Sequence, residues 1–280
     1  MGKLALGIET ARPIRAQVKQ EVETLRDKGI IPTLAIVRVG DSAGDKYYES
    51  SAIKRMYALD IETQSYVLDE HITQTDLNNM LQVLSEDSAV SAVLLMRPLP
   101  RHLSEVEARE YLVASKDVDG MTTSNVAGVF EGKDSAFAPC TAEACMQILK
   151  HEEVELTGKN VAVVGRSLVV GRPLAMMLLA ENATPTICHT KTKNIEDILK
   201  RSDIIVMAAG SARMLKANMV NPGAVVIDVG INVDEEGGLV GDVDFDEVEG
   251  IAGLITPVPR GVGSVTTSVL AQHVVRAASL

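Results

Sequence analysis

The chain has 280 residues, enough for one large domain or two modest ones, each with a proper core. At 46% hydrophobic and 23% charged residues it is an ordinary globular composition, and a net charge of −11 without any basic block argues against a nucleic-acid or anionic-membrane surface. No apolar run reaches spanning length, and the opening MGKLALGIET shows neither a leader core nor a cleavage site. Cys140, Cys145 and Cys188 have no metal spacing and no even framework, so a reduced, cytoplasmic, metal-free protein is expected.

Residues 10–28 have the spacing of an amphipathic helix. TLAIVRV, 33–39, is a β-rich run ending at the Gly40-Asp41 turn. A helix over 47–60, a strand over 63–69 and a helix over 75–87 capped by Thr75 follow. VSAVLLM, 90–96, is a buried-strand run broken by Pro98 and Pro100, and residues 101–140 are mixed, with several turn signals. A helix over 141–153, with Thr141 as its cap, leads into a second alternating block: NVAVVG strand, GRPLAMMLLAE helix, TPTICH strand, NIEDILKR helix, then the strands DIIVMAA and AVVIDVG. The final SVTTSVLAQHVVRAASL is an amphipathic helix. Alternation of this kind predicts an α/β fold, with parallel sheets covered by helices and a Rossmann-like second half.

The run VAVVGRSLVVGRPLAMMLL, 161–179, is the densest signal. Its apolar strand stops at Gly165, a loop runs from Arg166 to Val170, and Gly171 and Pro173 open a helix. Glycine at such a turn lets backbone approach a phosphate, and the helix start favours anions. An ordinary βα turn has the same outline. Other polar clusters fall at strand ends: Asp117 and Asp119 in KDVDG, Thr141 in APCT, Asp228, Gly230 and Asn232 in DVGIN, and the Pro/Gly loop ITPVPRGVGSVT. Each alone reads as a turn.

In combination and in this order, VRVGDSAGDKYY, RPLP, KDVDG, APCT, VVGRSLVVGRP, CHTKT, DVGIN with LVGDVDF, and TPVPRGVGSVT resemble the 5,10-methylenetetrahydrofolate dehydrogenase/cyclohydrolase family over nearly the whole chain. The resemblance implies a folate-binding domain over 1–118, joined by the C-terminal helix 265–280, and a Rossmann-like NAD(P)-binding domain over 119–264, with a cleft between them. It also implies a homodimer acting on tetrahydrofolate derivatives. It assigns Tyr48 and Asp119 to the reacting pterin, with Pro98, Leu99, Arg260 and Gly261 also lining the substrate. Gly165, Arg166, Ser167, Gly171, Pro173, His189, Thr190, Asn232 and Thr266 fall to the coenzyme.

The chain departs from the family pattern where the family's proton-transfer pair falls. Four residues after Tyr48, at the family's Lys position, stands Ala52; Lys54 is two residues further on. Met96 holds the family's Gln position, and Arg97 replaces an apolar residue. Met121-Thr122-Thr123 and Arg260 alter two further pocket segments, and a positive φ at Arg260 would cost about 1 kcal/mol. The expectation is therefore a dehydrogenase that yields 5,10-methenyltetrahydrofolate with weak or absent cyclohydrolase activity. A fully bifunctional enzyme and a non-catalytic binding paralog are the alternatives. Arg166, and a second strand ending in His189, Thr190 and Lys191 without an acid, favour NADP, with NAD left open.

Overall fold

A computed structural model describes residues 2–280. In chain order the elements are β1 (Lys3–Leu4), α1 (Gly7–Asp27), β2 (Thr33–Val39), α2 (Ala43–Tyr57), β3 (Glu62–Leu68), α3 (Gln74–Glu86), β4 (Ala92–Leu95), α4 (Glu105–Ala108), α5 (Thr123–Glu131) and α6 (Cys140–His151). The second half adds β5 (Asn160–Val164), α7 (Gly171–Ala180), β6 (Thr184–Cys188), α8 (Ile195–Leu199), β7 (Ile204–Met207), β8 (Val225–Asp228), β9 (Asn232–Val233), β10 (Leu239–Val240), α9 (Phe245–Val248), β11 (Leu254–Ile255) and α10 (Gly263–Ala278). The chain divides into two compact units: Pro13–Cys140 with Thr267–Leu280, and the segment up to Arg12 with Thr141–Thr266. The division falls at Cys140, beyond the expected 118: Asp117 bridges Val93 of β4, and Asn125 of α5 donates to Asp117, which ties this stretch to the first unit.

In the first unit β2 lies between β3 and β4 in a three-stranded parallel sheet, with Val37 opposite Tyr66 and Leu95. Every residue of the central strand β2 is buried, whereas those of β3 are exposed or half-buried. Ala35, Val37, Leu77, Leu81, Val93 and Leu95 lie in one core cluster. The expected helix 47–60 begins earlier, at Ala43, because Ser42 accepts the Asp45 N–H as cap. Likewise Thr73, not Thr75, caps α3, and Thr141 lies inside α6 and does not start it. The mixed stretch 101–140 contains α4 and α5, too short to show a period.

In the second unit six parallel strands run β1-β11-β8-β7-β5-β6. β5 sends its crossover through α7 to β6 on one side, while β7 lies on the other. The order reverses at β5, which is the switch point where doubly wound sheets take ligands at the carboxyl ends of their strands. The two-residue strands β1 and β11, and the start of α1 at Gly7, escaped the periodicity reading. Docking sets them: the Gly7 N–H donates to the Arg260 carbonyl at 2.8 Å.

Helix α2, which carries Tyr48, is bolted to β2 by a buried ion pair. Arg38 Nε donates to Glu49 Oε2 at 2.7 Å, and Nη1 donates to Asp41 Oδ1 at 2.9 Å and to the Gly40 carbonyl. Arg38→Met leaves Glu49 as a buried charge without its partner and is expected to cost about 3–5 kcal/mol. Arg38→Met with Glu49→Leu should recover most of that loss. Urea denaturation of both variants checks the pair; equal stability of the two would mean the ion pair carries no such weight.

Candidate active site

KDVDG contains two carboxylates with different duties. Asp117 is 1% exposed. Its Oδ1 accepts the Met121 N–H at 3.1 Å, and its Oδ2 accepts the Thr122 N–H at 2.7 Å and the Asn125 side-chain amide at 2.9 Å. Asp117 thus builds the turn and the entry to α5, whose cap is Thr122. Asp119 sits half-buried on the same turn. Its Oδ1 accepts the Cys140 N–H at 2.9 Å, and its Oδ2 accepts from Arg97 Nη2 at 2.6 Å. Burial pulls the Arg97 guanidinium down, but the charge and hydrogen bond of Asp119, with Glu105 and Asp117 behind, outweigh it and hold Arg97 above its ordinary pKa. The substitution at 97 is visible in the sequence; its pairing with a residue 22 positions away is not.

Tyr48 is half-buried on α2. Burial, and then the neighbouring Cys140 and Asp119, push its hydroxyl well above the usual tyrosine range, so it stays a protonated donor. Ala52, one turn on, is fully buried, and Met96 is 7% exposed at the end of β4, where its N–H donates to the Val37 carbonyl. Lys54 is exposed. In RPLP, Pro98 is exposed and Leu99 half-buried, with the Leu99 N–H donating to Glu105 Oε1 at 3.2 Å. A second clamp went unread in the sequence: His273 Nδ1 lies 2.8 Å and Cys140 Sγ 3.2 Å from the Val118 carbonyl, immediately before Asp119.

The remaining candidates lie in the second unit. Gly165 has φ 137°, and a Cβ there would overlap the Ala208 carbonyl oxygen at the end of β7. A Cβ at Gly171 would overlap the Gly165 carbonyl oxygen. The turn therefore closes only with glycine at both ends, leaving a bare-backbone cradle at the switch point. Ser167 closes it further, its Oγ accepting the Val170 N–H at 3.0 Å and its carbonyl the Arg172 N–H at 3.1 Å. No side chain caps α7 at Val170; with the Arg172 N–H given to Ser167 and the buried Pro173 lacking one, the Gly171 N–H is the first-turn donor that remains for an anion. Such a cradle suits a dinucleotide pyrophosphate. Arg166 is exposed beside it. After β6, His189 Nδ1 accepts the Lys191 N–H at 3.1 Å and Thr192 Oγ1 accepts the His189 N–H at 2.8 Å, a stapled turn that presents Thr190 and Lys191 outward.

Two expected coenzyme residues each make an internal bond. Asn232 Nδ2 donates to Asp242 Oδ1 at 2.9 Å, and the buried Thr266 hydroxyl donates to the Val262 carbonyl at 3.2 Å. Asp242 also collects the N–H groups of Ala209, Gly210 and Ser211 at 2.6 to 3.0 Å, which fixes the loop after β7. Arg260 and Gly261 belong to this unit, not to the one holding Tyr48 and Asp119. Arg260 has φ 83°, the left-handed region that disfavours a residue other than glycine, and its side chain is exposed. Among the described residues no cluster of three His, Cys, Asp or Glu could hold a metal ion, and no helix is long and apolar enough to cross a membrane.

The parallel sheet with a glycine cradle at its switch point defines a dinucleotide-binding α/β unit joined in sequence to a second α/β unit. Residues 139–280 match the tetrahydrofolate dehydrogenase/cyclohydrolase NAD(P)-binding domain, and residues 6–119 match the catalytic domain of the same family. The chain belongs to the tetrahydrofolate dehydrogenase/cyclohydrolase family. The bifunctional protein FolD of Alkaliphilus oremlandii (strain OhILAs) is 47% identical over 280 residues, covering 100% of this chain and 98% of that protein. The FolD methylenetetrahydrofolate dehydrogenase/cyclohydrolase of Campylobacter jejuni superposes with a TM-score of 0.97 at 39% identity, over 100% of this chain and 99% of the other. The Trypanosoma brucei FolD, solved with NADP and an inhibitor, gives 0.94 at 34% identity, over 99% and 97%.

Asp228 supplies a pH test of the coenzyme unit. Burial raises its carboxyl to about 6; N–H bonds from Val243, Asp242 and Gly230 only partly offset this, and the Asp242 charge adds to it. The folded state therefore holds this proton more tightly than the unfolded chain. Its contribution is fully present below about pH 4 and is lost as pH rises through 6, by on the order of 2–3 kcal/mol. Asp228→Asn loses an acceptor for the Val243 N–H and starts less stable, but should lack that decline. Thermal melts of both proteins at pH 4.5 and 7 check it: a wild-type-minus-variant difference that does not shrink with pH would contradict the assignment.

Proposed function

We propose that this chain is an NADP-dependent 5,10-methylenetetrahydrofolate dehydrogenase that has given up most of the cyclohydrolase step. The observation that carries the reading is the aprotic pair Ala52 and Met96, buried where the family resemblance puts a lysine and a glutamine. Alanine moves no proton, and a thioether is at best a weak acceptor. Lys54 is exposed on α2, which speaks against its serving as a substitute.

Dehydrogenation asks chiefly for placement. Hydride leaves the bridging methylene carbon of the folate, and the lone pair of the adjacent nitrogen forms the C=N bond of the cationic methenyl product. Bound coenzyme supplies the hydride acceptor. Asp119 accepts from the pterin's N–H groups, and the protonated Tyr48 orients the ring. Arg166 and the outward Thr190 and Lys191 favour the 2′-phosphate of NADP, and the T. brucei relative was solved with that coenzyme. A cytoplasmic setting fits the three buried cysteines, none of which is in a disulfide. A homodimer fits β3, whose outer edge pairs with no strand among the described residues.

With methylenetetrahydrofolate and NADP, reduced coenzyme and methenyltetrahydrofolate should accumulate together. General acid–base groups contribute about 10²–10⁴-fold, so hydrolysis should lag by that order. Following the methenyl chromophore and reduced coenzyme separately decides this; methenyl consumption as fast as its production would restore the bifunctional activity for which the relatives are named.

The coenzyme preference has its own test. NADP should bind several-fold or more tightly than NAD, and Arg166→Ala should remove most of the difference, since charge-assisted hydrogen bonds contribute roughly 1.5–3 kcal/mol. Titration of both proteins with both coenzymes measures it. Equal binding by the wild type, or a neutral Arg166→Ala, would point to NAD or to other phosphate ligands.

A further inference from the structure

The geometry points to Arg97 as a specificity-determining residue that reads the ring oxygen of the pterin, so that the pocket takes 4-oxopterins and rejects their 4-amino counterparts. The inference rests on the reading of Asp119 as the pterin carboxylate. Arg97 follows β4, and its side chain is only 8% exposed. Nη2 donates to Asp119 Oδ2 at 2.6 Å and lies 3.4 Å from the Asp119 carbonyl. Nε and Nη1 make no hydrogen bond to any described residue, an arrangement so little exposed a guanidinium sustains only with an acceptor to come or with water. Asp119 Oδ1 holds the Cys140 N–H. One lone pair on each carboxylate oxygen is therefore spent, and one on each remains.

The residue pair thus presents acceptors beside cationic donors. The pyrimidine edge of an oxopterin carries the complement in a row: an exocyclic amino group, a ring N–H and a carbonyl oxygen. The first two suit Asp119, and the oxygen suits the unspent N–H groups of Arg97. In a 4-amino analogue the ring nitrogen loses its hydrogen and the oxygen becomes an N–H donor. Donor would then face donor, and the mismatch is costly in a largely desolvated site. Arg97 also neutralises Asp119. Without that neutralisation the carboxylate would attract a basic diaminopyrimidine ring, which pairs with carboxylates as a cation. Both effects favour the oxo form.

A purely structural Arg97 predicts something else: its removal should weaken both ligands alike. Calorimetric titration of the full chain with tetrahydrofolate and with 4-amino-4-deoxytetrahydrofolate separates the two ideas. Wild type should prefer the oxo ligand, and Arg97→Leu should reduce the ratio of the two affinities roughly ten- to hundredfold. Arg97→Lys should give an intermediate ratio, because one ammonium can neutralise Asp119 but lacks the fork that also reaches the oxygen. The melting temperature of each variant is recorded alongside, and if Arg97→Leu fails to fold, Arg97→Lys decides. No preference in the wild type, or an unchanged ratio in a folded variant, would overturn the inference. Asp119→Ala tells the two readings apart: unchanged folate affinity there removes Asp119 from the pterin, whereas a loss there with unchanged ratios in the Arg97 variants removes only Arg97.

Discussion

Backbone N–H groups left over where parallel strands end must find acceptors, and in this chain buried carboxylates supply them. Asp117 gathers the N–H groups of Met121 and Thr122, Asp242 those of Ala209, Gly210 and Ser211, and Asp228 those of Gly230, Asp242 and Val243. A carboxylate has about four acceptor positions, so one side chain can pin a whole loop. The cost is a buried charge, visible in the raised carboxyl of Asp228. The same constraint sorts structural from functional acids. Asp117, Asp228 and Asp242 spend their oxygens on fixing loops, whereas Asp119 accepts one bond from a backbone N–H and one from Arg97 and keeps acceptor capacity.

This sorting bears on which chemistry the substrate unit can support. Hydride transfer needs a held ring, and rigid partners serve it. Opening a methenyl bridge with water needs a group that gives and takes protons near neutral pH. Around Asp119, the Tyr48 hydroxyl and the Arg97 guanidinium are both held above their ordinary pKa values and stay protonated. On the proposed reading, Ala52 and Met96 remove the exchangeable groups, and what remains is a set of fixed donors and acceptors. Such a set binds and orients without acting as a relay.

The sheets were legible because buried parallel strands appear as short continuous apolar runs, and TLAIVRV, VLLM and NVAVV are such runs. Helices α3 and α7 were legible from period and flanking residues. The short pieces were not: β1, β11, α4 and α9 have between two and four residues and exist through their docking. Within the sites, sequence reading separates glycines from ordinary turns only when a close approach is known. Gly165 and Gly171 are necessary because each would place a Cβ on a carbonyl oxygen, a distance absent from the sequence. Asn232 and Thr266 have residue types that suit a coenzyme, but their side chains turn inward to Asp242 and Val262. The partner of Arg97 was illegible for the same reason: ion pairs between distant positions are decided by the fold.

A chain of charge −11 that takes an anionic dinucleotide works against its own field. Local arrangement can resolve this, since screening limits exposed charges to roughly 8–10 Å in physiological salt. Arg166, Lys191 and Lys193 are exposed, and none forms an ion pair among the described residues. By contrast Lys216 is paired with Asp244 at 2.5 Å and Lys3 with Glu152 at 2.6 Å. Unpaired cations in the turns after β5 and β6 leave a local positive field there, and charges further off than one screening length do little to cancel it. Composition therefore argues against an extended polyanion as partner but not against a compact one, because the first depends on the sum of the charges and the second on where a few of them stand.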